Sequence, residues 1–391
     1  MGGQDNYIPR AMEKTSQEIA NWLPIVSVTG PRQSGKSTLV KRAFSDYSYV
    51  NLEDTQTRAW VQNDPIGFLS TNPAPLIVDE AQLAPELFSQ IQITADELSG
   101  QGHYVLSGSQ NFLLLKQISQ SLAGRVGIVR LLPLSFPEAH AARAITLDQF
   151  MFRGGYPRLY DVDIPERIFF DGYVSTYVER DVAGYLGVRN ITTFRRFLAL
   201  CAQSTGNLLN YTRLASDTDI STATARSWLS ILESSYIAFR LQPYFTNMRK
   251  RLTKMPKLYF YDTGLLCYLL GIESLDQLLA SPFLGAVFEN FVIVEVMKRH
   301  SNAGETPHLF FYRDDSKVEV DLVDATHASS TELIEVKSSQ TFRSEFGRHL
   351  QKVGEMLDIP TEHRFVVSRA AGSFAAQGFQ AANVQDWLLR N

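Results

Sequence analysis

Hydrophobic positions change their rhythm along this chain. Short apolar runs punctuate the first third: Ile25-Val26-Ser27-Val28-Thr29, Tyr47 to Leu52, Pro75 to Asp79, His103 to Ser107 and Gly127 to Leu134. Runs of this length, bounded by polar turns, predict strands buried on both faces, and the helically spaced stretches between them predict crossover helices. Over residues 1–145 this alternation predicts an α/β unit with a parallel sheet and helices on both faces.

From about 146 to 260 the spacing becomes mostly helical. Phe152-Arg153-Gly154-Gly155-Tyr156-Pro157 is a tight break, and Tyr173 to Asp181 is apolar at helical spacing. From Tyr211 the pattern predicts a winged helix-turn-helix. Leu214 and Ala215 lie on one helix, Asp217-Thr218-Asp219 turns, and a second helix carries Ala225, Trp228, Leu229, Ile231 and Leu232. Tyr236 to Leu241 then reads as the first wing strand. Residues 261–391 predict a small α/β unit. Its parts are an apolar helix over Ala286–Met297, a hairpin (Leu309–Arg313, Lys317–Val323) turning at Asp314-Asp315-Ser316, and a strand from Glu332 to Ser338.

The chemistry begins at Gly30-Pro31-Arg32-Gln33-Ser34-Gly35-Lys36-Ser37-Thr38, which fits G-x-x-x-x-G-K-[ST] without a mismatch between a strand and a helix. Glycines there let backbone N–H groups converge on phosphate oxygens, and the helix N-terminus adds its positive end. Lys36 is expected to reach the β- and γ-phosphates of ATP and Ser37 to sit on Mg²⁺. The apolar run Pro75–Glu80 ends in Asp79-Glu80, at the sheet edge that faces the ligand crevice. Asp79 is the expected holder of the Mg²⁺ shell and Glu80 of the attacking water. Ser109, with Gln110 and Asn111, ends a third strand and is a candidate contact to water or γ-phosphate; a plain polar turn is the competing reading. Arg125 closes a helix as a candidate arginine finger, in its own subunit or a neighbour's, against a solvated surface arginine.

Composition narrows the class. The chain has 391 residues, 45% hydrophobic and 20% charged, which suggests two or three soluble globular units. A net charge of −4 carries no global sign of nucleic-acid binding, so such a contact needs a local patch. Cys201 and Cys267 are too far apart for metal-ligand spacing and fit a reducing compartment. No apolar stretch reaches membrane-span length and no leader is visible, so a cytoplasmic protein is expected.

The patch is Arg249-Lys250-Arg251 with Lys254 and Lys257, five cations in nine residues. At a wing it would track DNA phosphates without reading sequence; a solvated hairpin loop is the alternative. Arg226 alone offers a cation on the second helix of the turn motif. Further on, Asp321 with Glu335 and Lys337 makes a D…ExK pattern, and Glu289 lies upstream on a helix. Two carboxylates with a lysine on one strand face can hold a second divalent metal and orient a water toward a phosphodiester. Structural ion pairing of the same four residues competes with that use.

In order, these pieces resemble an AAA-superfamily (ASCE-type) P-loop ATPase of bacteria and archaea with a C-terminal winged-helix segment and a PD-(D/E)XK nuclease-like domain. Gly30 through Thr38, Leu76 through Gln82, Leu106 through Gln110, Leu122 through Arg125 and Pro133 through Glu138 carry the resemblance. Phe152 through Pro157, Tyr259 through Leu265, Glu289, Asp321 and Glu335-Val336-Lys337 extend it. It implies sheet order 5-1-4-3-2 and a homo-oligomer, dimeric or ring-type (hexameric). Asp321 departs from the nuclease pattern, because Val320 and not proline precedes it. Two functions stay open: an ATP-driven enzyme on DNA, favoured by the basic run and the intact D…ExK set, and a regulatory NTPase switch that docks a protein partner.

Overall fold

The computed structural model describes residues 7–108, 118, 121–182, 190–244 and 254–390. The early apolar runs become β1 (Ile25–Thr29), β2 (Ser48–Asn51), β3 (Leu76–Asp79), β4 (Tyr104–Gly108) and β5 (Val126–Arg130). They form one sheet in the order β2-β3-β4-β1-β5, and every pairing is parallel. Read from the other edge, this is the order that the resemblance implies. β1, β3 and β4 are buried along their whole length, as central parallel strands covered on both faces must be. One face packs Val26, Val28, Ile77 and Val105 against Met12, Leu39 and Val40. The other packs Ile25, Leu76, Val78 and Leu106 against Leu87, Phe88 and Ile91. Because all strands run one way, Thr29, Asp79 and Gly108 end at the same edge of the sheet.

Beyond residue 131 a second core runs from Leu134 through the helical segment to Trp387, so no gap in packing marks the division expected at 260. Helices Tyr211–Thr218 and Thr222–Ser234 flank a turn in which Asp219 is left-handed, and Ser221 caps the second helix by accepting from Thr224 N. The helix Glu166–Tyr173 runs on as a π-helix over Val174–Val182, where spacing alone predicts a plain helix.

The expected wing needs correction. β6 (Ala238–Pro243) and β7 (Lys257–Phe260) do pair antiparallel, but they form the edge of the C-terminal sheet. Its other strands are β8 (Leu309–Arg313), β9 (Glu319–Asp324), β10 (Glu332–Lys337), β11 (Arg364–Ser368), β12 (Phe374–Ala376) and β13 (Phe379–Asn383), in the order β12-β13-β11-β10-β9-β8-β6-β7. The reason is apolar: Ala238, Phe239 and Leu241 of β6 and all of β7 are buried. A solvated wing would have left those side chains in water.

The long helix Leu284–Asn302 lies against this sheet and is buried over most of its length. Its buried polar residues are therefore committed to partners. Asn290 clamps β7, accepting from Phe260 N at 2.7 Å and donating to Phe260 O at 2.9 Å. Glu295 accepts from Phe136 N at 2.7 Å, while Lys298 donates at 2.8 Å to both Leu134 O and Glu295. Burial raises the Glu295 carboxyl and the Lys298 charge opposes that rise. Leu134 and Phe136 follow directly from β5, so this buried pair fastens the long helix to the exit of the first sheet. No helix among the described residues is long and apolar enough to cross a membrane.

Lys298→Met should strand the Glu295 carboxylate and cost about 3–5 kcal/mol in urea unfolding. The double variant Glu295→Leu/Lys298→Met should recover most of that loss. An unchanged midpoint in the single variant would remove the pair from the account of how the halves are joined.

Candidate functional site

The loop after β1 owes its shape to residues with left-handed or otherwise restricted backbone. Gly30 turns at φ 150°, and a Cβ there would lie 2.1 Å from the Leu131 carbonyl oxygen. Gln33 and Gly35 have φ of 61° and 91°. Gly35 caps the helix Lys36–Ala43 without any side-chain cap, so the first-turn N–H groups face the loop. Arg10, buried behind it, donates to Ser34 O at 2.9 Å and Leu132 O at 2.7 Å and pairs with Glu138 at 3.2 Å. Arg32 lies 5.3 Å from the Tyr177 ring centre. The Ser34 hydroxyl is buried without a hydrogen-bond partner among the described residues. Ser37 and Thr38 are exposed at the start of the helix.

Lys36 is buried and donates to Pro31 O at 2.7 Å and Gly30 O at 3.2 Å. Burial lowers its pKa to about 8, against the opposing charges of Glu80 and Asp79. Asp79 ends β3 at 2% exposure. It accepts from Tyr49 Oη at 2.7 Å, from the Ser107 hydroxyl and from Glu80 N at 3.1 Å. Glu80 is left-handed at φ 53° and accepts from Gln82 Nε2. Lys36, Asp79 and Glu80 thus interact at one edge of the sheet. Arg10, Tyr49, Ser107 and Gln82 were not singled out from sequence. Only Ser107 carried a signal, as a polar residue inside the β4 run beside β3.

Two candidates from the sequence part from this group. Ser109 lies outside the described residues. Arg125 precedes β5 where Val126 pairs with Ile25, the start of β1 and not its end. Five strand residues put it about 16 Å from the loop edge. There it holds Asp96 through two hydrogen bonds of 2.5 and 2.8 Å. The assignment of Arg125 to its own subunit's γ-phosphate is therefore corrected; its exposed pairing with Asp96 fits the competing reading of a surface arginine.

A cavity of about 500 Å³ opens beside the loop, lined by Ile8, Arg10, Gln33, Gly35, Thr38 and Pro157 among others. That is within the range of small-ligand sites. Its walls come from the N-terminal segment, the loop and the helical segment beyond β5. A further contact joins the same parts: Tyr236 Oη lies 3.2 Å from the Thr29 hydroxyl at the end of β1.

In the C-terminal sheet, Glu289, Asp321, Glu335 and Lys337 converge. Lys337 lies 2.5 Å from Glu335 and 3.9 Å from Asp321, and Asp321 accepts from Val336 N at 2.9 Å. Glu289 reaches the group through Lys257, whose ammonium is 3.1 Å from Glu289, 2.6 Å from Glu319 and 3.8 Å from Asp321. Tyr259 also donates to Glu289. Burial first, and Asp321 next, push both Glu289 and Glu335 above the usual carboxyl range. Glu335 Oε2 is buried without a hydrogen-bond partner among the described residues. Glu319 could have been read from its place two residues before Asp321, on the same strand face. Lys257 is a correction: counted with the basic run, it is 2% exposed and neutralises carboxylates. Of the other candidate DNA contacts, Arg249, Lys250 and Arg251 lie outside the described residues. Lys254 is exposed, and Arg226, also exposed, stacks at 4.1 Å over Tyr211.

Comparison with known proteins finds three matched stretches along the chain. Residues 23–140 match the family described as AAA domain. Residues 145–276 and 284–387 match two domains of unknown function, DUF8612 and DUF4143. An uncharacterized protein of Mycobacterium tuberculosis is 32% identical over 376 residues, covering 94% of this chain and 83% of its own. The chain belongs to the family of that protein. Family resemblance extends to an uncharacterized protein of Haemophilus influenzae, 21% identical over 428 residues, covering 100% of this chain and 99% of its own. Among solved structures, a Walker-type ATPase of Pyrococcus abyssi aligns at 14% identity and a TM-score of 0.43, covering 66% of this chain and 94% of its own. AMPPCP-bound DnaA from Aquifex aeolicus aligns at 17% identity and a TM-score of 0.30, covering 56% and 85%.

The lowered Lys36 pKa sets a proton signature for phosphate binding at this loop. Above pH 8 the free amine is mostly neutral, and added phosphate charge favours its ammonium form. Titrating ATP calorimetrically at pH 8.5 should show proton uptake, read as a heat that differs between buffers of unlike ionisation enthalpy. At pH 6.5 the Lys36 contribution should vanish. Equal heats in all buffers at pH 8.5 would contradict the placement of phosphate on Lys36.

Proposed function

We propose that this protein binds Mg²⁺·ATP at the Gly30–Thr38 loop and hydrolyses it. The observation that carries the reading is the meeting of Lys36, Asp79 and Glu80 at the C-terminal edge of a parallel sheet in an AAA-type domain. The start of the Lys36–Ala43 helix, which has no side-chain cap, and the Ser34 hydroxyl, without a hydrogen-bond partner among the described residues, fit a phosphate chain. Ser37 and Asp79 are the residues that would hold Mg²⁺, which supplies charge neutralisation at the β- and γ-phosphates. Tyr49 and Ser107 fix the Asp79 carboxylate so that it need not reorganise. Glu80, turned by its left-handed backbone and steadied by Gln82, would orient the attacking water. The cavity beside the loop is the place for the nucleoside, with the helical segment as one wall. A homo-oligomer would bring Arg125 to a neighbour's nucleotide, provided that it leaves Asp96.

Lys36→Ala should abolish ATP binding and turnover, because it removes a ground-state phosphate contact. Glu80→Gln should keep binding within a few-fold and lose at least about 100-fold in turnover, because Glu80 acts on the water alone. Equilibrium binding and steady-state hydrolysis measured on the same samples separate the two. Wild-type turnover in Glu80→Gln would overturn its role.

One observation favours a second activity, metal-dependent cleavage of a DNA phosphodiester at the C-terminal cluster. Glu335 Oε2 is buried without a hydrogen-bond partner among the described residues, and a divalent ion between Asp321 and Glu335 would satisfy it. Lys257 works against this reading, since its ammonium already serves Glu289, Glu319 and Asp321. If the cluster cleaves, Mg²⁺ or Mn²⁺ should raise the unfolding temperature and support nicking, and Asp321→Ala should abolish both while leaving ATP turnover intact. Neither shift nor nicking on single-stranded, duplex or branched DNA leaves Lys257 as the cluster's resident cation, and the regulatory switch then replaces the DNA enzyme.

A further inference from the structure

At the far end of the long helix a different group assembles. His300 sits in its last turn, buried, and Glu305 follows in the loop that leaves it. His327 lies beyond the end of β9, past Asp324. His300 Nδ1 is 2.7 Å from Glu305 Oε2, and His327 Nε2 is 3.3 Å from Glu305 Oε1. One ligand atom from each of the three lies within 4.8 Å of the others. The turn that presents Glu305 is fixed by Glu305 N donating to His300 O at 3.0 Å.

What lies behind His300 gives the group its meaning. Its Nε2 is 2.6 Å from Asp324 Oδ2, and Asp324 is 5% exposed and held at Oδ1 by Thr326 N at 3.1 Å. Both ring nitrogens of His300 are within hydrogen-bond distance of a carboxylate, and a proton kept on Nε2 by Asp324 would leave Nδ1 to bind an ion that replaces its contact to Glu305. Histidine ligands of metals are oriented in this way, by a carboxylate on the nitrogen that does not bind. An ordinary imidazolium–carboxylate pair would account for His300 and Glu305 but has no use for a second histidine on the same carboxylate. Tetrahedral bonds of about 2.0–2.1 Å hold ligand atoms about 3.3 Å apart; the His327–Glu305 separation is 3.3 Å, and the 2.7 Å His300–Glu305 contact would have to open to admit the ion.

We propose that His300, Glu305 and His327 bind one borderline-soft divalent cation of the zinc class, with Asp324 as the residue that orients His300. Two imidazoles and a carboxylate favour zinc or cobalt over the hard, all-oxygen ions. Three protein ligands leave one position open to water or a small anion. The ion ties the end of the long helix to the segment after β9. It is separate from the carboxylate cluster, whose Glu289 lies eleven residues earlier on the same helix, about 16 Å along its axis.

The test uses the full chain, freed of metal with a chelator and titrated with Co²⁺, whose visible absorption reports tetrahedral nitrogen and oxygen ligation. One equivalent should bind with that spectrum, and Zn²⁺ should displace it. His327→Ala, a change at a half-exposed side chain, should remove the spectrum and weaken binding at least ten-fold with an unchanged urea midpoint for the metal-free protein. Asp324→Asn should weaken binding by about 10- to 100-fold. His103→Ala, a histidine of the first sheet's loops, should change nothing, and Lys36→Ala should keep the full equivalent. Absence of the cobalt spectrum in the wild type, or its survival in His327→Ala, would overturn the proposal.

Discussion

A helix buried over most of its length cannot leave its buried polar side chains unanswered, and that constraint organises this molecule. Leu284–Asn302 carries Glu289, Asn290, Glu295, Lys298 and His300, which between them meet four neighbouring parts of the fold. Glu289 turns to the carboxylate cluster, Asn290 to β7, Glu295 and Lys298 to the exit of the first sheet, and His300 to the end of β9. Replacing the Glu295–Lys298 pair with apolar groups of the same volume need not destabilise the fold; breaking it does. The helix therefore works as a registry element, setting where each half stands by where its polar groups are satisfied.

That registry reaches the nucleotide loop. Leu134 and Phe136, held by Lys298 and Glu295, precede Glu138, which pairs with Arg10 beneath the loop. Thr29 at the end of β1 touches Tyr236, and Arg32 stacks on Tyr177. The loop is thus braced by side chains and carbonyls from the helical half as well as from its own sheet. A change in phosphate occupancy that moved Arg32 or the Thr29 edge would meet Tyr177 and Tyr236 directly. This contact chain gives the AAA-type domain a physical route to the rest of the chain.

Much of the first sheet was legible because its signals are local. The strand runs, the glycines at 30 and 35 and the acids after β3 each follow from a few adjacent residues. Lys257 shows what was not legible. Its neighbours in sequence are Lys254 and a basic run, so charge patterning sends it to solvent, whereas β7 carries it into a sheet edge facing Glu289, Glu319 and Asp321. Arg125 failed for a similar reason: a helix-end arginine says nothing about which end of the next strand it marks. Arg10 gave no signal, because its partners, two backbone carbonyls and the Glu138 carboxylate, are more than 20 residues away. The wing failed because a hairpin that follows two helices looks the same whether or not a third strand pairs with it.

The central claim is that the nucleotide lies between the two halves, phosphates on the loop and nucleoside against the helical segment. A crystal structure with Mg²⁺ and a non-hydrolysable ATP analogue tests it most directly. The account predicts the γ-phosphate within hydrogen-bond distance of Lys36, the metal shell at Ser37 and Asp79, and the base in the cavity beside Arg10 and Pro157. Phosphates bound away from Lys36, or a base lying outside that cavity with no contact to the helical half, would contradict it.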